Sequence, residues 1–218
     1  MHLAAAPLLA DYEPLVQGAQ WIYNDVDDGK RSTETETISP QMKRMHGQWV
    51  FEQVTDYSDG TQSRDYMNYS ASHQLQLHRS VDADSDIGFS PPLLFPLRAI
   101  AGQRIVSDGK VDAILFSISM TGRYHNVTEV LGKERVTVPA GTFSTIKVRT
   151  TGEFTVEYHK RGVNVSMKMS GTSIDWVAKG VGSVKSNSVN HIEATVNNKH
   201  KKGDTKSRST LKSYSIPV

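Results

Sequence analysis

Pro139-Ala140-Gly141 separates two runs of alternating residues, Val136-Thr137-Val138 before it and Thr142 to Val148 after it. Strict alternation with β-branched residues specifies half-buried strands. Proline fixes φ and has no N–H, while glycine admits positive φ, so together they turn a strand corner. A chain that repeats this unit builds sheets, and this chain repeats it almost throughout.

Gln20 to Val26 alternates, Asp27-Asp28-Gly29-Lys30 turns, and Arg31 to Ile38 returns. Trp49 to Tyr57 leads into Ser58-Asp59-Gly60-Thr61, and Gln62 to Tyr69 comes back. Asp-Gly between alternating runs is a strong short-range hairpin signal. Further strands are expected at Gln74–Val81, Ala113–Met120, Tyr124–Leu131, Glu134–Val138, Phe143–Tyr158, Val163–Ile174, Gly182–Thr195 and Thr205–Ile216. No stretch sustains a 3.6-residue apolar period, so any helix is short. The pattern predicts an all-β antiparallel meander, forming a strongly curved open sheet or half-barrel with little helix.

One segment departs from this pattern. Between Ile87 and Ile100, Pro91, Pro92 and Pro96 argue against a regular central strand. Yet Leu93, Leu94, Phe95 and Leu97 are too apolar for an exposed loop. The segment is expected to fold over one end of the sheet as a plug or lid, with Leu94 and Phe95 pointing inwards and Gly88 and Gly102 as hinges of the lid form.

The 218 residues show no linker and no change of pattern, which predicts one domain over residues 11–218. Residues 1–10 are apolar and Ala-rich without a basic n-region, and read as a signal-peptide remnant or an expression scar. A lipoprotein's mature start needs a cysteine, and there is none. That also excludes disulfides, thiolate metal sites and a cysteine nucleophile. No apolar run approaches the roughly 18 residues of a spanning helix. An apolar fraction of 37% suits a sheet wetted on one face.

The net charge of +2 implies no partner by itself. Lys199, Lys201, Lys202, Lys206 and Arg208 nevertheless crowd one segment, opposed only by Asp204. They read first as a solvated hairpin tip. The sharper reading makes Lys199, Lys201, Lys202 and Arg208 contacts for an anionic membrane surface. No aromatic residue interleaves with them, which argues against nucleic acid.

Other constellations are weaker. Asp82, Asp84 and Asp86 alternate as at the start of a calcium loop, but Ile87 and Leu93 stand where glycine and glutamate are needed. An acidic turn is expected there. The eight histidines have no metal-ligand spacing, and no metal or cofactor is expected. There is no Gly-x-Ser-x-Gly elbow and no phosphate-binding glycine loop. Glu34 and Glu36 alternate with Thr33, Thr35 and Thr37; they could serve acid–base chemistry, but a polar solvent face explains them more simply.

Two signals accompany the Val136–Phe143 corner: Pro14-Leu15-Val16-Gln17-Gly18-Ala19-Gln20-Trp21-Ile22-Tyr23, and Trp176-Val177-Ala178-Lys179-Gly180-Val181-Gly182-Ser183-Val184-Lys185. Together they resemble the DUF3108-like group of bacterial exported proteins and lipoproteins of unknown function, from near Asp11 to near Lys185. The resemblance implies a curved half-barrel like those of periplasmic lipoprotein carriers. It also implies a bacterial envelope location, periplasmic or outer-membrane associated, and it carries no catalytic residues.

The function expected on these grounds is non-enzymatic binding of a lipid-like, apolar or amphipathic ligand in the hollow of the sheet. Trp21, Tyr23, Trp49, Phe51, Leu94, Phe95 and Trp176 are the candidate contacts, although each also reads as core packing. The alternatives are a structural or interaction module with an envelope protein partner, and an enzyme whose site is assembled from scattered residues.

Overall fold

The computed structural model describes residues 7–160, 162–197 and 199–217. A single 3-10 turn, Leu9–Asp11, precedes a run of strands. These are β1 (Gln20–Asp27), β2 (Lys30–Ile38), β3 (Lys43–Met45), β4 (Gln48–Tyr57), β5 (Gln62–Tyr69), β6 (Leu75–Val81) and β7 (Ser85–Leu94). The longer β8 (Arg104–Leu115), β9 (Ile118–Val138), β10 (Gly141–Lys160), β11 (Val163–Ala178), β12 (Gly182–Val196) and β13 (Lys199–Ser215) follow.

All pairings are antiparallel. β2 pairs with β4 from Glu34↔Tyr57 to Ile38↔Gln53, β3 being a short flap on β4. β13 returns to β1, from Gln20↔Ser215 to Asp27↔Ser207. Leaving out β3, twelve of the thirteen strands among the described residues therefore form a closed up-and-down ring. The all-β antiparallel meander is as expected from the sequence. The sheet is closed, where an open sheet or half-barrel was expected, because β1 and β2 bridge β13 and β4 and satisfy both edges.

Local chemistry explains the turns. Asp28 and Gly29 both take positive φ (47° and 85°), as a two-residue hairpin tip requires. The turn between β8 and β9 uses Phe116 and Ser117, also at positive φ (48° and 67°). Neither residue signals a turn, so Ala113–Met120 reads as one strand in sequence although the chain reverses inside it. Conversely, Leu131 and Glu134 belong to one strand. Gly132 lies in the bulge between them, where the β9–β10 register shifts.

The proline segment is also a strand in part. β7 includes Pro91 and Pro92, with a cis Ser90–Pro91 bond. Its ladder with β8 ends at Ser90, and its ladder with β6 skips from Gly88 to Leu93. The prolines thus occupy the stretch where no neighbour demands an N–H, which is how a central strand tolerates them. Gly88 is inside both ladders and is not a hinge.

The interior holds three apolar clusters. Trp21, Tyr23, Ile38, Val184 and Leu211 belong to one, beside the Val136–Gly141 corner, whose Ala140 N–H bonds the Leu211 carbonyl (3.1 Å). Val111, Leu115, Met120, Tyr124 and Val156 fill the hollow of β8 to β10 in another. The third is made by the segment before β1. Leu9 and Tyr12 are buried against Val130, Ile146, Val148 and Val177, with Phe95 packed beside them.

That leading segment is stitched into the barrel. The Leu9 N–H bonds the Leu97 carbonyl, the Ala99 N–H bonds the Pro7 carbonyl, and the Gly180 N–H bonds the Asp11 carbonyl. The folded unit therefore includes Pro7–Ala10, ahead of the expected boundary at residue 11. The earlier part of the expected leader remnant, residues 1–6, lies outside the described residues.

Candidate functional site

Hairpin geometry determines what faces the lumen. On β1, alternate residues Trp21, Tyr23 and Asp25 are buried. The Asp28–Gly29 turn sets Glu36 opposite Trp21 and Glu34 opposite Tyr23. Directly opposed residues share a face, so both glutamates line the barrel interior. This corrects the expectation of a solvent face. Next to them on β4 and β5, Gln53 stands opposite Asp65. From the far wall β11 contributes Asp175 and Val177, and the leading segment inserts Glu13 between the walls.

These residues enclose a cavity of about 280 Å3. Leu9, Leu15, Leu75, Leu77, Phe95 and Val177 supply apolar lining. Glu13, Glu36, Asp65 and Asp175 add four carboxyl groups to it. A second space of about 370 Å3 continues from it past Tyr23, Glu36, Asp175 and Ser183. Its lining is acidic and hydroxylated: Asp25, Asp27, Glu34 and Tyr57 with Ser186, Ser207 and Ser209. Among the residues lining these two spaces there is no lysine, arginine or histidine.

The carboxyl groups respond to that enclosure. Burial pushes Glu13 up to about 8, and the charge of Asp175 adds to the effect. Burial pushes Glu34 to about 7, with Asp25 adding. Burial, then Glu34 and Glu13, hold Glu36 well above the usual carboxylate range. Asp25, Asp65 and Asp175 are raised chiefly by burial, each partly offset by a serine hydrogen bond. Each shift comes first from taking a carboxylate out of water.

Their hydrogen bonds are sparse. Glu36 accepts from Gln53 Nε2 (2.7 Å), Asp175 from Ser173 Oγ (2.9 Å) and Glu34 from Ser209 Oγ (3.3 Å). The Tyr23 hydroxyl donates to the Ser183 carbonyl (2.9 Å), and Trp21 Nε1 donates to the Val181 carbonyl (2.5 Å). The Tyr69 hydroxyl clamps the inserted segment by donating to the Glu13 carbonyl and accepting from the Leu15 N–H (3.1 Å).

Of the residues expected to touch a ligand, Trp21, Tyr23 and Phe95 line the cavity. Phe51 packs on the Trp21 cluster beside it. Trp49, 60% exposed, lies at the start of β4, opposite Arg44 of the β3 flap. Leu94 pairs with Gln76, on the opposite face from the cavity residues Leu75 and Leu77. Trp176 alternates with the cavity residues Asp175 and Val177 and does not line the cavity, but it is buried in the same apolar cluster as Trp21 and Tyr23. Its ring lies between the Lys147 and Lys185 ammonium groups (4.8 and 4.4 Å to the centroid), and its Nε1 donates to Glu134 Oε2 (2.9 Å).

The basic cluster begins at the tip of the β12–β13 hairpin, where Lys199 pairs with Val196, and continues along β13 as far as Arg208. Lys199 and Lys201 fall on one face of the strand, Lys202 and Arg208 on the other. Lys202 is paired with Glu193 (2.6 Å). Asp82 caps an acidic turn by accepting from the Asp84 and Ser85 N–H groups, while Asp86 pairs with Arg79. Among the described residues no three His, Asp or Glu side chains are arranged to hold a metal ion.

The lumen carboxylates are the residues that sequence reasoning passed over. The signal for two of them was present in the Asp-Gly hairpin, whose register puts Glu34 and Glu36 beside Tyr23 and Trp21. For Glu13, Asp65 and Asp175 no local signal exists, because only ring closure brings them together.

A closed meander barrel with a stoppered, acidic lumen is the class of protein these features define. The chain belongs to the DUF3108-like family, whose model matches residues 19–200. Its fold is shared by two solved structures. One is a candidate lipoprotein from Parabacteroides distasonis ATCC 8503, with 15% identity, a TM-score of 0.52, and coverage of 94% of this chain and 98% of that one. The other is a candidate exported protein with a YmcC-like fold from Bacteroides fragilis NCTC 9343, with 16% identity and the same TM-score and coverage. No curated protein matches the chain significantly in sequence.

Proposed function

We propose that this is a non-enzymatic protein of the bacterial envelope that holds an amphipathic, lipid-like ligand in the barrel lumen. The observation that carries the reading is the cavity between the inserted segment and the ring, whose lining combines Leu75, Leu77 and Phe95 with four carboxyl groups. Mixed linings of this kind suit a ligand with an apolar body and a polar end. The fold neighbours, described as a lipoprotein and as an exported protein, support the envelope location.

Raised carboxyl pKa values are also found in general acids. Here all six move the same way for the same main reason, whereas an acid–base pair needs environments that drive two groups apart. That supports binding over catalysis. Native mass spectrometry of gently purified protein tests the reading. A bound mass that is lost on denaturation and displaced by an environment-sensitive apolar dye is expected. A protein that carries no adduct and takes up no dye would sink it.

A second reading, an interaction module, is favoured by one observation. β13 pairs with β12 from Lys199, but with β1 only from Ser207. At Lys206 that side is already held by Asp28, which bonds both its N–H and its carbonyl, so the side of β13 turned away from β12 is open to a partner strand over 199–205. A cross-linked partner that is lost when this stretch is interrupted by proline would favour it.

A further inference from the structure

We propose that the polar end of the lumen ligand is cationic, an ammonium group seated among Glu13, Glu36 and Asp175. This rests on the reading of the lumen as a ligand site and specifies its chemistry.

Glu13 carries most of the argument. Its segment closes one end of the lumen, and its side chain lines the cavity, half-buried in the surrounding wall. Among the described residues the Glu13 carboxylate accepts no hydrogen bond and joins no ion pair, although the backbone carbonyl of the same residue is bound by Tyr69. A carboxylate offers about four acceptor sites. A free carboxylate aimed into a cavity marks a place where a donor is missing.

The neighbours extend the deficit. Glu36 has Gln53 as its side-chain donor, and Asp175 relies on serine hydroxyls. Tyr23, a hydroxyl that could have served an anion, already donates to Ser183. With no basic residue in the lining, nothing there balances the charge of an anionic head. An ammonium group brings three donors and a positive charge to a set of acceptors that lacks both. Its apolar part would lie along Leu75, Leu77 and Phe95.

The test compares decylammonium, 1-decanol and decanoate binding to the whole protein by calorimetry below micelle-forming concentrations. Decylammonium is expected to bind at least roughly tenfold more tightly than decanol, as one close opposite charge away from bulk water allows, and decanoate weakest. The double variant Glu13→Gln, Asp175→Asn should erase the amine's advantage over decanol, and a cooperative thermal transition of the variant shows that it folds. Decanol or decanoate binding as tightly as the amine would overturn the cationic assignment and leave the ligand site standing. An amine advantage that survives in the double variant would place the amine elsewhere and overturn it too. Failure of all three probes to bind would remove the ligand site itself.

Discussion

Glu13, from the segment that stoppers the barrel, and Asp175, from the wall strand β11, line one cavity, and the charge of Asp175 makes Glu13 harder to ionise. Neither has a basic residue beside it in that lining. An arrangement of this sort stores electrostatic cost in the folded state, and its consequences are measurable.

The first is an inverted pH profile. Glu13, Glu34 and Glu36 have folded pKa values above their unfolded ones, with Glu13 at about 8 and Glu34 at about 7. Between the unfolded carboxylate pKa and these values the native state binds more protons than the unfolded chain, so stability falls as pH rises. The melting temperature should drop steadily from about pH 5 to about pH 8.5. A flat or rising profile over that window would contradict the burial of these groups.

Replacing Glu13 by Gln removes the ionisable group at that point and keeps its shape. The variant should melt higher than the parent at pH 8.5, with little difference at pH 5. Charge facing this site comes from Asp175 on β11 and Glu36 on β2. Tyr23 on β1 and Tyr69 on β5 face it as neutral hydroxyls. Part of the slope therefore remains in the variant.

Phe95 and Leu94 are adjacent in sequence but separated by the sheet. Phe95→Ala removes a side chain packed on Leu9 and Tyr12 and should cost about 3 kcal/mol, the low end for a buried aromatic because Phe95 is half-buried. Leu94→Ala, on the other face, should cost less than about half of that. Denaturant unfolding of the two variants measures both, and equal losses would mean that Leu94 also packs inwards.

Gly122 on β9 has no room for a side chain. A Cβ there would lie 1.7 Å from the Thr155 carbonyl oxygen, a backbone atom that cannot swing aside. Gly122→Ala should destabilise by about 3 kcal/mol or more through strand displacement. By contrast Gly203, with open space around it, should accept alanine almost silently. Comparing the two melting curves checks the pair.

Much of this architecture was legible in the residues. Alternation located nearly every strand, and Asp-Gly located two hairpins, because both act through local backbone preferences. The missed turn at Phe116–Ser117 shows the limit: tight strand pairing imposes positive φ on residues that do not favour it. Pro91 and Pro92 misled for a related reason, since their tolerance depends on a gap between two ladders. At the site, Trp21 and Tyr23 were found because aromatic residues on a strand generally face inwards. Trp176 has the same local appearance and is equally buried, but it packs outside the cavity lining, where two lysines and Glu134 cover it. The acidic lumen stayed hidden because alternation reveals that a strand has two faces and not which of them a ring will enclose.

The ring has one more property, which concerns time. From β4 to β13 each strand meets a neighbour close in sequence, so this run can zip up locally. Closure is different, since it brings together residues such as Asn24 and Thr210, 186 positions apart. Bringing ends so distant together costs roughly 5 kcal/mol of chain entropy before any contact repays it, which makes closure a late step. A chain emerging N-terminus first must therefore keep its opening hairpin waiting until its last strand is complete. No shorter piece of the polypeptide has an inside.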